Sequence, residues 1–181
     1  MAGRQIALLR GVNVGRAKRV AMGDLRALVH GLGYRDVQTL LNSGNIVFTV
    51  PSGIRGEHAA RIEIAIAQRL SVSTRVTVLT AAELGAAIAD NPLLDAARDP
   101  SRLLVAVLRQ TADRSRLAPL AKRDWAPDEF AIGRRVAYLW CPNGTIQSPL
   151  AESVNRALGD AVTTRNWATM VKLKALAETP P

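Results

Sequence analysis

The sequence predicts an α+β protein built from two successive βαββαβ units, each followed by one extra helix. Three observations carry this. Short apolar runs suited to strands are interleaved with stretches whose apolar residues fall three and four apart, the spacing of a helix face. Two tight turns, Asn42-Ser43-Gly44-Asn45 and Gly133-Arg134, each join a pair of strand-like runs. The order of elements before Asn91-Pro92 then recurs after it, although the two halves share no similar sequence. The boundary falls between Asn91 and Arg102, giving units over 1–95 and 96–181.

In chain order, Gln5 to Leu9 reads as a buried strand that breaks at Arg10-Gly11. Met22, Leu25, Leu28, Val29 and Leu32 mark a helix stopped by Gly31 and Gly33. Asp36 to Leu41 and Ile46 to Val50 form a hairpin, ended by Pro51. Ile62, Ile66 and Leu70 line a second helix, and Arg75 to Leu79 is a fourth strand. A short helix from Ala81 to Asp90 stops at Asn91-Pro92 and serves as the connector.

The second round opens with a strand over Leu103 to Leu108 and a helix over Asp113 to Ala121. Glu129 to Ile132 and Arg135 to Trp140 form its hairpin. Ser148 can cap a helix with Pro149 in its first position; Leu150, Val154 and Leu158 line that helix and Gly159 ends it. Ala161 to Thr163 is a short strand, and a last helix covers Asn166 to Ala177. This order is the ferredoxin-like arrangement, twice in tandem. In such a unit the loop after the first strand, the turn after the second and the loop after the second helix lie at one end. Here that end holds Arg10 to Arg19, Ser43-Gly44-Asn45 and Ser71 to Arg75.

Composition bounds the function. At 181 residues and 48% hydrophobic content the chain can bury a core, whether as one domain or two small ones. Aromatics are only 4%, so aliphatic side chains and alanine must fill it. The net charge of +9 favours polyanions or phosphorylated ligands, but all except four of the 24 basic residues are arginine, which equally fits a solvated arginine-rich surface. Cys141 is the one cysteine, so no intrachain disulfide forms, and with only His30 and His58 as histidines no zinc site is expected, while carboxylate-bound magnesium stays open. The apolar run Ile6 to Leu9 is too short for a signal-peptide core, and no run approaches a membrane span. A cytoplasmic protein without membrane association is expected.

Three motifs in order, Leu9-Arg10-Gly11-Val12-Asn13-Val14-Gly15, Ser43-Gly44-Asn45-Ile46-Val47-Phe48, and Thr163-Thr164-Arg165-Asn166-Trp167 followed by Lys172-Leu173, span nearly the whole chain. In these the sequence resembles the bacterial family called domain of unknown function 1697. The resemblance implies a two-subdomain α+β fold containing ferredoxin-like units, and it implies no activity. The chain departs from the family pattern at Arg16, where a second glycine is usual, in the spread of basic residues over Ala17, Lys18 and Arg19, and at Pro149, where a lysine is common.

The candidate binding residues are Arg10, Asn13, Arg16, Lys18, Ser43, Asn45 and Arg165. The loop after the first strand matches neither GxxxxGK[ST] nor GxGxxG. It offers two glycines, basic side chains and a following helix start, a combination that suits phosphate. The alternative is that Gly11 and Gly15 only permit a tight turn and Asn13 bonds the backbone. Ser43-Gly44 is ordinary hairpin chemistry, with no histidine or lysine base assignable to Ser43. Arg165, beside a helix start capped by Thr164 or Asn166, can clamp a phosphate or carboxylate and is expected to be accessible; Trp167 could stack on a base or ring, but packing on the core with Met170, Val171 and Leu173 is the favoured reading. No carboxylate pair or nucleophile–base pair is readable. The leading expectation is a phosphorylated ligand, a nucleotide or RNA. Two others stand beside it: an enzyme acting on a small anionic metabolite in a cleft between the units, and a scaffold or protein-binding module. No cofactor is assignable.

Overall fold

A computed structural model describes residues 3–16 and 18–180. The fold is α+β, with two four-stranded antiparallel sheets. The chain divides into two compact units. One runs up to Ala82 and takes in the stretch from Leu173 onward; the other is Glu83–Lys172. The division therefore falls inside the expected connector helix rather than at 95/96, and the end of the last helix belongs with the first unit.

In the first unit, β1 (Gly3–Leu9), β2 (Arg35–Leu40), β3 (Asn45–Val50) and β4 (Val76–Thr80) lie in the order β2-β3-β1-β4. β1 is central, pairing with β3 from Gly3↔Val50 to Leu8↔Asn45 and with β4 from Gln5↔Thr80 to Leu9↔Val76. Two helices, α1 (Met22–Gly31) and α2 (His58–Leu70), connect β1 to β2 and β3 to β4. Alternate strand residues Ala7, Leu9, Ile46 and Phe48 meet Leu25, Leu28 and Val29 of α1 and Ile62, Ala65 and Ile66 of α2 in one core. Full burial of a side chain such as Ile62 or Ile66 is worth roughly 1.5–3 kcal/mol. α2 stops at Ser71, which takes up the left-handed conformation at φ 55°.

In the second unit, β5 (Leu103–Leu108), β6 (Glu129–Ile132), β7 (Val136–Trp140) and β8 (Val162–Asn166) repeat the pattern as β6-β7-β5-β8. The connector α3 (Ala81–Ala89) precedes β5, and α4 (Pro149–Leu158) sits between β7 and β8. Ser148 caps α4 by accepting from the Ala151 amide, and Leu150, Val154 and Leu158 are its buried face. α5 (Trp167–Glu178) closes the chain, with the Asn166 Oδ1 accepting from the Thr169 amide at 2.9 Å.

Two expectations need correction. The segment expected as a helix over Asp113 to Ala121 forms 3₁₀ turns over Thr111–Leu117 and Leu120–Lys122. Pro119 has no amide to give to an α ladder, and the bonds Asp113 N to Gln110 O, Ala118 N to Ser115 O and Arg123 N to Leu120 O are all three-residue bonds. Leu117 and Leu120, three apart, both turn inward. The strand expected over Ala161 to Thr163 extends to Asn166, because Thr164, Arg165 and Asn166 pair with Ala106, Val105 and Leu104 of β5.

Candidate functional site

β1 ends at Leu9, and three segments meet there. The Leu9 amide donates to Gly44 O at 2.8 Å, and the Arg10 amide donates to Arg75 O at 2.9 Å. The Thr74 hydroxyl donates to Arg10 O at 2.8 Å. The loop 10–20, the turn 41–44 and the loop 71–75 thus share one end of the first sheet, as the topology required.

The long loop has a defined shape. Val12 and Val20 are buried in the unit's core and anchor its two ends. Between them, Asn13 and Lys18 adopt left-handed backbone, and the Asn13 amide donates to Lys18 O at 3.0 Å. The Asn13 side chain binds across the loop and out of it: Oδ1 accepts from the Val20 amide at 2.9 Å, while Nδ2 donates to Val20 O at 2.8 Å and to Asn42 O at 2.7 Å. Asn45 does the same for the turn. It is fully buried and donates from Nδ2 to Leu40 O at 2.8 Å and to Ser43 Oγ at 2.9 Å. Both carboxamides therefore spend their hydrogens on the scaffold, the backbone-bonding alternative weighed for Asn13.

The charges face out. Arg16, Lys18 and Arg19 are exposed, and none has a carboxylate partner among the described residues. Arg10 is half-buried at the strand end. Arg75 is half-exposed, and its guanidinium is 3.6 Å from Glu63, whose other carboxylate oxygen accepts from the Val76 amide at 2.7 Å. Thr74, Arg75 and Arg19 belong to this cluster, although they were not among the candidate residues; only the topology pointed to the first two. Ala17 lies outside the described residues.

Of the seven candidates, the structure brings together Arg10, Asn13, Arg16, Lys18, Ser43 and Asn45. Arg165 belongs to the second unit. It stands on β8 opposite Val105, just before the start of α5, and is only 9% exposed, so the expectation that it is accessible is corrected. Its Nη1 donates to Thr164 O at 2.9 Å, and burial pushes its pKa down to about 10. Asn166, as expected, is the helix-capping residue.

Two polar groupings elsewhere had no sequence signal. In the second unit, Ser148 Oγ donates to Asp128 Oδ2 at 2.6 Å, and the Cys141 thiol reaches Ser148 Oγ at 3.4 Å. All three are buried. Burial pushes the Cys141 thiol up; the Ser148 hydrogen bond opposes this and the nearby Asp128 adds to it. In the first unit, the buried Tyr34 hydroxyl lies 2.8 Å from His58 Nδ1. Burial and the Arg61 charge lower the His58 pKa, against a smaller opposing pull from Glu57, which keeps the ring neutral near pH 7. A cavity of about 450 Å³ opens beside Arg102, Asn143 and Gln147, and no candidate residue lines it.

Comparison with known proteins supplies the lineage. A search of curated proteins finds no match. A conserved bacterial protein from Streptococcus pneumoniae has a similar structure, with a TM-score of 0.70 at 20% sequence identity, covering 98% of this chain and 100% of that one. At that identity the likeness concerns the fold. The model of the family described as "Protein of unknown function (DUF1697)" matches residues 2–138, which include the loop 10–20 and the turn 41–44 but not Arg165. The chain belongs to the DUF1697 family.

Proposed function

We propose that the first unit binds a phosphorylated ligand, a nucleotide or an RNA, at the loop 10–20. The observation that carries this is the contrast within the loop: its polar scaffold is internally bonded through Asn13, while Arg16, Lys18 and Arg19 stand exposed without carboxylate partners among the described residues. Three like charges on one short loop repel one another, and a bound phosphate would relieve that repulsion. Arg10 and Ser43 flank the same strand end and are the next groups a phosphate would meet. Asn13 and Asn45 act by holding the loop and turn. Arg165 is left out of this site.

The strand orders β2-β3-β1-β4 and β6-β7-β5-β8, with helices between the first and last pairs in the first unit, support reading both units as ferredoxin-like. Among the described residues no helix is long and apolar enough to cross a membrane.

The test is a thermal-shift series with pyrophosphate, mononucleotides and short oligonucleotides on the wild type and on the Arg16→Gln/Lys18→Gln/Arg19→Gln variant. A ligand present at about 100 times its Kd stabilises the fold by roughly 2.7 kcal/mol. The proposal expects a shift in the wild type that is lost in the variant. Equal shifts in both would remove the loop from the site.

A further inference from the structure

We infer that the ligand of this loop is the phosphodiester backbone of a nucleic acid, contacted through charge and without reading of its bases. This rests on the phosphorylated-ligand reading and narrows it.

A nucleotide pocket needs groups that recognise a base, namely an aromatic face for stacking or spare amides and carbonyls for the base edge. The three segments at this end of the sheet, 10–20, 41–45 and 71–75, contain no Phe, Tyr or Trp. The amide hydrogens of the Asn13 and Asn45 side chains are used on the protein's own backbone and on Ser43. The same segments hold five basic residues, Arg10, Arg16, Lys18, Arg19 and Arg75, and no Asp or Glu. Arg16, Lys18 and Arg19 are all solvent-exposed. Such a surface can neutralise several phosphates and lacks an aromatic platform on which to stack a base. The excess of +9 over the whole chain adds long-range attraction for a polyanion, whereas a mononucleotide gains from only one or two of these contacts.

The salt dependence follows from counterion release. Three phosphate contacts give a slope of about −2 in log affinity against log salt for a single strand, so affinity falls roughly 20-fold between about 50 and 200 mM salt. The experiment is fluorescence anisotropy with a labelled 20-nucleotide oligo-U and a mixed-sequence 20-mer. Uridine monophosphate, inorganic polyphosphate and phosphatidylserine vesicles serve as competitors. The wild type is compared with Arg16→Gln/Lys18→Gln/Arg19→Gln. These positions are exposed, so the variant keeps its fold, checked by its melting curve.

The expected result is equal affinity for the two oligomers, the stated salt loss, and at least a tenfold weakening in the variant. Competition by the monophosphate at equal phosphate concentration should be negligible. If the monophosphate competes as well as the oligomer, the phosphorylated-ligand reading survives and this inference falls. Stronger competition by polyphosphate or by vesicles, at equal charge, moves the loop to those partners and also overturns it. If nothing phosphorylated binds, or the variant binds as the wild type does, both readings fall.

Discussion

The Asn13 side chain donates to the carbonyl oxygen of Asn42 at 2.7 Å, tying the basic loop to the hairpin turn. Its two bonds to Val20 close the loop on itself at the same time. Each net hydrogen bond is worth about 0.5–1.5 kcal/mol, and the left-handed φ of 56° adds a further cost of about 1–2 kcal/mol for alanine. With three such bonds lost, Asn13→Ala is therefore expected to lose about 2.5–6.5 kcal/mol. Asn13→Gly, which loses the bonds but not the backbone freedom, should lose about 1 kcal/mol less. Asn13→Asp keeps only the acceptor for Val20 and turns a carboxylate toward two carbonyls, so it should be no milder than alanine. Urea midpoints of the three variants test this order.

Gly44 and Gly15 separate space from backbone strain. Both have positive φ, 75° and 61°. A Cβ on Gly44 would lie 2.7 Å from Leu9 Cβ and from Val12 Cγ2, whereas one on Gly15 would meet nothing within 4 Å. Gly15→Ala is expected to cost about 1–2 kcal/mol through strain alone. Gly44→Ala carries the same strain plus an overpacking cost of about 1–3 kcal/mol. Equal melting temperatures for the two variants would contradict the close approach of turn and loop.

Much of this was legible because local signals agreed with one another. Leu150, Val154 and Leu158 announced α4, and Ser148 with Pro149 announced its start; propensity, cap and periodicity all pointed one way. The meeting of the loop 10–20 with the turn 41–44 was legible from topology, since a strand order fixes which ends coincide. Arg165 was not. Asn166 signalled a helix start, and a cap signal does not say whether the preceding residues are loop or strand; the pairing of Arg165 with Val105 is a contact sixty residues away in sequence. The Asp128–Ser148 bond escaped for the same reason. Asn13 and Asn45 were visible as polar loop residues, but sequence could not say that their amides would be spent on backbone carbonyls.

Ser148 has two roles, and a double-mutant cycle separates them. Its Oγ accepts from the Ala151 amide at 2.9 Å and donates to Asp128 Oδ2 at 2.6 Å. Ser148→Ala loses the cap, about 1 kcal/mol, and strands a buried carboxylate, adding about 1–3 kcal/mol. With Asp128→Asn in the background the second cost is largely gone, so a coupling energy of about 1–2 kcal/mol is expected. Additive losses would show that the two side chains do not act together. The Cys141 thiol, held protonated by burial, should resist alkylation at neutral pH in the folded protein and react once unfolded.

Tyr138 links the second unit's sheet to α3 and should impose an alkaline limit on its stability. The hydroxyl is buried and donates to Ala87 O at 2.7 Å. Burial, reinforced by the Asp90 charge, pushes its pKa up from 10.0 to about 12. Ionisation is thus easier in the unfolded chain than in the folded one. Below about pH 10 both states hold the proton and the full contribution is present; above it the unfolded state loses the proton first, so stability falls as pH rises toward 12. At about pH 11 the loss amounts to roughly 1 kcal/mol. Tyr138→Phe lacks the titrating proton. At about pH 8 it should be less stable than the wild type by about 1–2 kcal/mol, because Ala87 O loses its donor. Near pH 11 the gap should close, because only the wild type declines through this group. Urea melts at the two pH values measure both differences. A gap that stays constant would mean that the Tyr138 hydroxyl ionises equally readily in the folded and unfolded chain, and that the bond to Ala87 does not hold its proton.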